Sequence, residues 1–211
     1  MNNVLTRLGQ MGLVPVVAIE NAADAVRLGE ALLAGGLPCA EITFRTAAAE
    51  AAIRAISTAC PEVLVGAGTV LTVSQAETAV AAGAKFVVTP GFDGAVVDWC
   101  LAHSVPVTPG VMTPTEINMA LNKGLNILKF FPAEAAGGVK TLKAIGGPYG
   151  GVKFIPTGGI SPANLADYLR LPQVHACGGS WLATKQLIAS GEFERITALT
   201  AEAVAIVKQV R

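Results

Sequence analysis

The chain has 211 residues, of which 52% are hydrophobic, 14% are charged and 5% are aromatic, and its formal net charge is zero. This length suits one large domain with a substantial buried core. The balanced charge and the scarcity of aromatic side chains argue against a nucleic-acid-binding surface, and no apolar run is long enough to predict a membrane span.

The cysteines and the amino terminus indicate a cytoplasmic protein. The amino terminus lacks a basic segment followed by a long apolar stretch, so no signal peptide is predicted. The four cysteines are widely spaced and form no C-x-x-C pair, which predicts free thiols. With only two histidines in the chain, a histidine–cysteine metal site is not expected.

Short runs typical of buried β-strands recur along the chain, with starts roughly 20 to 26 residues apart. This spacing accommodates a strand, a helix and two short loops. The predicted strands cover residues 14–19, 39–43, 63–65, 85–89, 105–108, 127–131, 153–156 and 174–177.

Helical patterns fill most of the intervals between these strands. A lead-in helix is predicted at 3–10, and further helices at 24–34, 46–59, 74–82, 115–123 and 192–210. Ser74 is the expected N-cap of the 74–82 helix, with Glu77 in the capping-box position. Thr115 is expected to cap the next helix, and Ser161-Pro162 predicts an N-cap followed by a helix.

Eight alternating strand and helix signals predict an α/β protein with a (β/α)8 TIM barrel, forming a single domain over residues 1–211. The alternative is a doubly wound open sheet, which needs a glycine-rich dinucleotide loop after the first strand. Residues 20–23 read ENAA, so the sequence favours the barrel. Its chemistry is then expected at the carboxyl ends of the strands.

Lys129 lies in the apolar run ILKFFP at residues 127–132. Burying a charged amine is costly, so burial favours its neutral and nucleophilic form. Such an amine can attack a ketone and form a Schiff base. Phe131 shares its face of the strand and is expected to keep it dry. The alternative is a strand-end lysine whose amine reaches solvent.

The second strand alternates polar and apolar residues. Glu41, Thr43 and Arg45 fall on one face, which is predicted to point into the barrel. Glu41 could move protons beside the amine, and Arg45 could bind a carboxylate through two hydrogen bonds. The alternative is that Glu41 forms a purely structural ion pair with an arginine or a lysine.

Other strand ends carry small residues and hydroxyl groups. Thr69 follows the sequence GAG after the third strand, and Pro90 lies in a Thr-Pro-Gly turn after the fourth. Thr157 precedes Gly158-Gly159 after the seventh strand, and the eighth is followed by Gly178, Gly179 and Ser180. Paired glycines at these two places are typical of a phosphate site in barrels. A lone glycine turn of this kind is structural more often than functional.

Two long segments carry a family resemblance. Residues 36–45, GLPCAEITFR, and residues 124–133, GLNILKFFPA, resemble the glutamate and lysine motifs of the 2-keto-3-deoxy-6-phosphogluconate and 4-hydroxy-2-oxoglutarate aldolases. Segments 66–70, 156–162 and 178–181 fit as well, in order. Ala136 is one departure, since asparagine is expected there.

The resemblance implies a class I aldolase on a trimeric barrel with no metal and no cofactor. Lys129 would form an imine with pyruvate, and Glu41 would be the general acid–base. Arg45 and Thr69 would hold the pyruvate carboxylate, and Thr157 would influence stereoselectivity. The other expected contacts are Pro90 and Phe131 for substrate, and Gly158, Gly159, Gly178, Gly179 and Ser180 for phosphate.

The implied reaction cleaves 2-dehydro-3-deoxy-6-phosphogluconate, a 2-keto-3-deoxy phosphosugar acid, to pyruvate and glyceraldehyde 3-phosphate, in the Entner–Doudoroff pathway. Cleavage of 4-hydroxy-2-oxoglutarate or of the phosphogalactonate epimer is the near alternative. A phosphosugar epimerase or isomerase would share the phosphate site but needs no imine-forming lysine. A non-catalytic sugar-phosphate-binding barrel would leave the lysine and glutamate without a purpose.

Overall fold

A computed structural model describes residues 3–211 of the chain. Over these residues, a strand occurs at each of the eight predicted positions, and the fifth continues after Pro109 into a further short strand. The strands are β1 Leu13–Val17, β2 Cys39–Thr43, β3 Leu64–Gly68, β4 Val87–Val88, β5 Val107–Thr108, β6 Gly110–Val111, β7 Ile127–Phe130, β8 Lys153–Pro156 and β9 Cys177–Gly179.

The paired strands run parallel and form two hydrogen-bonded sheets. The first has the order β5-β4-β3-β2-β1-β9 and the second has the order β6-β7-β8. Only Pro109 separates β5 from β6, and isolated parallel bridges join Phe154 to Val174 and Thr157 to Gly178. The α/β class of the predicted barrel is therefore confirmed and its parallel sheet is curled, although the ladders between described residues do not form one continuous eight-stranded ring.

Helices alternate with the strands. They are α1 Asn3–Met11, α2 Ala25–Ala34, α3 Ala49–Ala59, α4 Val73–Ala81, α5 Gly94–Ala102, α6 Pro114–Asn122, α7 Gly138–Gly146, α8 Leu165–Leu169, α9 Lys185–Ala189 and α10 Phe193–Val210, with a 3₁₀ turn at Ala22–Asp24. The lead-in helix is confirmed as α1. Helices α5, α7 and α9 were not predicted from the sequence. Helices α5 and α7 begin at a glycine, which is a poor start signal, and α9 has only five residues.

The predicted 46–59 helix begins three residues later, at Ala49, and three predicted N-caps are displaced by two or three residues. The N-cap of α4 is Thr72, whose hydroxyl accepts the Gln75 N–H, so Ser74 and Glu77 do not form a capping box. The N-cap of α6 is Thr113, not Thr115. There a proline occupies the first turn and Glu116 completes the capping box, a combination that fixes the helix start.

The third displaced N-cap is the one predicted at Ser161-Pro162. These residues form a turn, and α8 begins later, at Leu165. The Asn164 side chain closes the turn by accepting the Ser161 N–H at 2.8 Å.

Apolar residues pack on both faces of the strands. Two large clusters lie between the strands and the surrounding helices, and Ala40, Ile42, Leu128 and Phe130 belong to them. A third cluster fills the interior enclosed by the strands, and Leu8 of α1 covers one end of it. Its buried members are Leu8, Val14, Cys39, Leu64, Phe86, Val88, Ile155 and Ala176. The period-two prediction for β2 and β7 is therefore confirmed, since their alternate residues face the helices.

Glycines that the sequence prediction assigned to loops lie within β3, β6 and β9. Strand β3 runs through Gly66 and Gly68, and β9 comprises Cys177, Gly178 and Gly179. Glycine weakens a strand in isolation. Here a Cβ at Gly66 would lie 2.4 Å from the Phe86 ring, so the interior leaves no room for a side chain.

No helix in the stretch from residue 3 to residue 211 is both long and apolar enough to cross a membrane.

Candidate active site

Lys129 and Glu41 meet in the interior of the molecule although 88 residues separate them in the chain. Lys129 Nζ lies 3.4 Å from Glu41 Oε1, and the two side chains are only 5% and 4% exposed. Lys129 comes from β7 and Glu41 from β2, which belong to different sheets. Burying a charged group costs free energy unless it has a partner of opposite charge. Each of the two groups therefore offsets the cost of burying the other.

Phe131 covers the lysine from the next inward position of the same chain segment. Lys129 Nζ lies 5.2 Å from the centre of the Phe131 ring, a distance at which an ammonium is attracted to the aromatic face. The same ring limits access of water to the amine. The predicted contact between these two side chains is thus present.

The burial of the site also acts on Cys39, which precedes Glu41 by two residues on β2. Burial raises the pKa of the Cys39 thiol well above its usual range, and the Glu41 carboxylate raises it further. Cys39 therefore stays a neutral thiol. The four cysteines are all free and buried.

Glycine at position 68 makes space for the Glu41 carboxylate. A Cβ at Gly68 would lie 2.1 Å from Glu41 Oε1 and 2.6 Å from its Cγ. Real Cβ atoms do not approach other atoms so closely. The glutamate therefore lies across the surface of β3 and can extend toward Lys129 because β3 has no side chain there.

Thr157 is the third polar side chain of this interior group. It is 6% exposed and lines the same small cavity as Glu41 and Lys129. A Cβ at Gly178 would lie 2.2 Å from Thr157 Oγ1, so Gly178 leaves room for the threonine just as Gly68 does for the glutamate.

Arg45 lies in the turn after β2. Its Nε donates to Thr43 Oγ1 at 3.1 Å, and the buried Thr43 hydroxyl donates to the Val17 carbonyl at 2.9 Å. These bonds fix the base of the arginine, while its exposed guanidinium retains donors for a carboxylate. Among residues 3–211, no carboxylate forms an ion pair with Arg45.

Thr69 directly follows β3 and adopts a left-handed backbone conformation, with φ at 53°. A β-branched residue is rarely found there. The strained turn lies at the carboxyl end of β3, where the sequence predicted a substrate contact. A role for Thr69 in substrate binding stays a prediction.

Pro90 lies in the turn after β4, against the start of β6. A Cβ at Gly110 would be 2.1 Å from the Pro90 carbonyl oxygen, and Gly110 pairs with Lys129 in the ladder. Pro90 is therefore one strand away from the lysine backbone.

The two predicted glycine pairs differ in structure. Gly158 and Gly159 form a tight turn with positive φ angles of 99° and 78°, and the Gly158 carbonyl accepts the Glu134 N–H at 3.0 Å. Gly178 and Gly179 lie within β9 and pair with β1, which leaves Ser180 as the first residue beyond the strand. Because Thr157 and Gly178 form a bridge, both segments end at the same edge.

Comparisons with known proteins identify the family. The sequence profile described as KDPG and KHG aldolase matches residues 4–199. The chain belongs to the KDPG and KHG aldolase family. Lys129 and Glu41 both lie within the matched residues.

Individual members of the aldolase family match most of this chain. The 2-dehydro-3-deoxy-phosphogluconate aldolase of Treponema pallidum is 50% identical over 98% of this chain and 99% of its own length. The KHG/KDPG aldolase of Escherichia coli K12 is 46% identical over 91% of this chain and 90% of its own length.

A solved structure of the family has a closely similar backbone. It is a KDPG aldolase from Legionella pneumophila with pyruvate captured at low pH as a covalent carbinolamine intermediate. Its TM-score is 0.91 at 40% identity, covering 94% of this chain and 97% of that one.

Two residues that support the glycine turn were not predicted from the sequence. The Tyr168 hydroxyl of α8 donates a hydrogen bond to Glu134, and a Cβ at Gly159 would lie 2.6 Å from the Glu134 side chain. Burial raises the pKa of Tyr168, as does the Glu134 carboxylate. Neither residue type indicates such a contact by itself, because 34 residues separate the partners.

Proposed function

We propose that this protein is a class I aldolase that reversibly cleaves 2-dehydro-3-deoxy-6-phosphogluconate to pyruvate and glyceraldehyde 3-phosphate. The observation that carries the proposal is the buried Lys129–Glu41 pair, with 3.4 Å between Nζ and Oε1. A dry amine beside a carboxylate has the two groups that imine formation and proton transfer require. Membership of the aldolase family supports the same conclusion.

The reaction begins with attack of the neutral Lys129 amine on the C2 ketone. The carbinolamine loses water and becomes a protonated imine. Glu41 takes the proton of the C4 hydroxyl, the C3–C4 bond breaks, and its electron pair moves to C3 as the enamine forms. Glyceraldehyde 3-phosphate leaves, the enamine is protonated at C3, and hydrolysis releases pyruvate. The iminium accepts the electrons, so the proposed reaction uses no metal and no organic cofactor.

The remaining residues bind the two ends of the substrate. Arg45 and Thr69 hold the carboxylate, and Pro90 and Phe131 form apolar walls beside the reacting carbon atoms. Thr157, next to the reacting pair, influences which epimer is accepted. Gly158, Gly159, Gly178, Gly179 and Ser180 lie at the shared edge of β8 and β9, where the phosphate is bound; within this group, N–H donors come most readily from the turn at Gly158-Gly159 and from Ser180.

The proposed fold is a (β/α)8 barrel that forms a single domain over residues 1–211. The continuity of β5 with β6 and the bridges between β8 and the β9 segment are what this closure requires. A homotrimer, a cytoplasmic location and a place in the Entner–Doudoroff pathway complete the proposal, and they rest on the family resemblance.

A second candidate is the cleavage of 4-hydroxy-2-oxoglutarate, which the family description and the E. coli relative both name. Both reactions use the same imine. The phosphogalactonate epimer differs in configuration at C4, the carbon that bears the hydroxyl deprotonated by Glu41. Comparing kcat/KM for the three substrates separates these activities, and a phosphate-dependent preference supports the proposed binding turn.

The first test is incubation with pyruvate and borohydride, followed by intact mass and peptide mapping. We expect one reduced pyruvyl adduct on Lys129, none in Lys129→Ala, and an adduct but slow turnover in Glu41→Gln. Folded wild-type protein that forms no adduct would contradict the proposal and favour the phosphosugar isomerase.

A further inference from the structure

Thr108 is a buried polar residue that has no role in the proposed mechanism. It ends β5 and is 1% exposed. Its Oγ1 is buried and has no hydrogen-bond partner among the described residues. Such groups are rare in folded proteins, because burying a hydroxyl costs free energy unless a new hydrogen bond replaces those it made with water.

The Thr108 side chain lines a small enclosed cavity together with Glu41, Lys129 and Thr157. The cavity volume is about 10 Å³, close to the space that one buried water needs. A buried water makes two to four hydrogen bonds, and these four polar side chains supply enough donors and acceptors. Apolar residues complete the wall, namely Leu8, Val14, Phe86, Val88 and Ile155.

The apolar part of the cavity wall extends from the reacting pair toward α1. Leu8 belongs to α1 and Val14 to the first half of β1, so the cavity lies on the side of the reacting pair that faces α1. The keto acid enters from the opposite side, at the carboxyl ends of the strands. A water at the α1 end of the cavity would leave the opposite side of Lys129 free for the keto acid.

We propose that Thr108 is a positioning residue that holds one buried water against the Lys129–Glu41 pair from the α1 side. The proposal rests on the proposed function, because the water acts on the reaction only after Lys129 has formed the imine. Bonding of Nζ to the substrate carbon alters the direct contact with Glu41. A water fixed by Thr108 then keeps the carboxylate oriented and presents its oxygen to the positive charge of the iminium.

The test compares Thr108→Val, which removes the hydroxyl at nearly constant shape, with Thr108→Ser, which retains it. We expect Thr108→Val to lower kcat by roughly 3- to 10-fold, about the effect of one hydrogen bond, with KM unchanged. Thr108→Ser should recover most of the rate. Thr200→Val is the matched control, since Thr200 is equally buried but bonds within α10, and its kcat should equal that of the wild type.

A high-resolution crystal structure of the unliganded wild type gives the direct readout. We expect a water about 3 Å from Thr108 Oγ1 that is absent from the Thr108→Val structure. Wild-type kcat in Thr108→Val, a Thr108→Ser variant as slow as Thr108→Val, or no water in the wild type would each overturn the proposal. If the wild type fails to trap pyruvate, the proposed function fails, and the water position still decides whether Thr108 holds a solvent molecule.

Discussion

Substitution of Gly68 by alanine tests whether the absence of a side chain on β3 positions Glu41, because the added methyl group would displace that one catalytic side chain. The Cβ of Gly68→Ala would lie 2.1 Å from Glu41 Oε1, whereas ordinary contacts begin at 3.4 Å. Gly68 does not have a positive φ, so alanine is compatible with the backbone. The strand can keep its conformation, and the glutamate side chain has to move.

The required displacement is about 1.3 Å, the difference between these two distances. A shift of about 1 Å in a reacting group can cost roughly 100-fold in rate. We therefore expect kcat for cleavage of the phosphorylated keto acid to fall by about two orders of magnitude. Overpacking of the interior should also cost about 1–3 kcal/mol of stability, or roughly 2–10 °C in Tm for a chain of this size.

Three measurements separate the chemistry from the folding: the Tm, borohydride trapping of pyruvate, and the steady-state rate. In Gly68→Ala, Lys129 is untouched, so trapping should persist while turnover is slow. Gly66→Ala is the comparison within the same strand, because its Cβ would strike the Phe86 ring and not the glutamate. It should lower the Tm with a smaller effect on kcat. Gly150→Ala, which meets nothing within 4 Å, should match the wild type.

A Gly68→Ala enzyme with the wild-type kcat would refute the argument that the empty side of β3 positions Glu41. Equal rate losses in Gly66→Ala and Gly68→Ala would also refute it, since the effect would then follow from general distortion of β3.

Three further changes test other features of the molecule. Thr69→Gly relieves a positive φ of 53°, so unfolding in urea should show a gain of about 1 kcal/mol together with a higher KM for pyruvate, and an unchanged KM would remove Thr69 from the site. Burial lowers the pKa of His175 below its usual 6.5, against the hydrogen bond to Leu5, and Arg211 lowers it further; the unfolded chain then binds the proton more readily, so stability is retained above pH 6.5 and falls below it at up to about 1.4 kcal/mol per pH unit. His175→Gln should flatten that decline in urea titrations from pH 7 to pH 5, and an identical decline would assign it to other groups. Burial raises the pKa of Glu116, but hydrogen bonds from the cap of α6 lower it below its usual 4.5 overall, so Glu116→Gln should cost about 1 kcal/mol at pH 7 and progressively less as the pH falls below 4.5, whereas a cost that does not change with pH would show that the charge is unimportant.

The reacting pair could be predicted from the sequence because each residue interrupts an apolar strand. Lys129 is the polar residue of ILKFF, and Glu41 alternates with Ala40 and Ile42. Period two then places both side chains in the interior. Their contact across two sheets could only be inferred from the chemistry, because a local pattern contains no information about pairing over 88 residues.

The boundaries of β3 and β9 were not predictable in the same way. Glycine is the residue expected in a loop, and the rule fails where a neighbouring side chain occupies the space above a strand. At Gly68 that neighbour is Glu41, and at Gly178 it is Thr157. Gly68 and Gly178 are thus explained by functional side chains of neighbouring segments, whose positions become visible only with the register.

Thr108 shows the same limit for a polar residue. Threonine is common in strands because of its branched shape, so nothing in the segment VPVTPG distinguishes a packing residue from one whose hydroxyl is needed. The register settles the direction of the side chain, since Thr108 pairs with Val88, an interior residue. Its hydroxyl then shares an enclosed cavity with Glu41 and Lys129. The unpaired hydroxyl is the observation from which the buried water is proposed, and only the register brings it to the reacting pair.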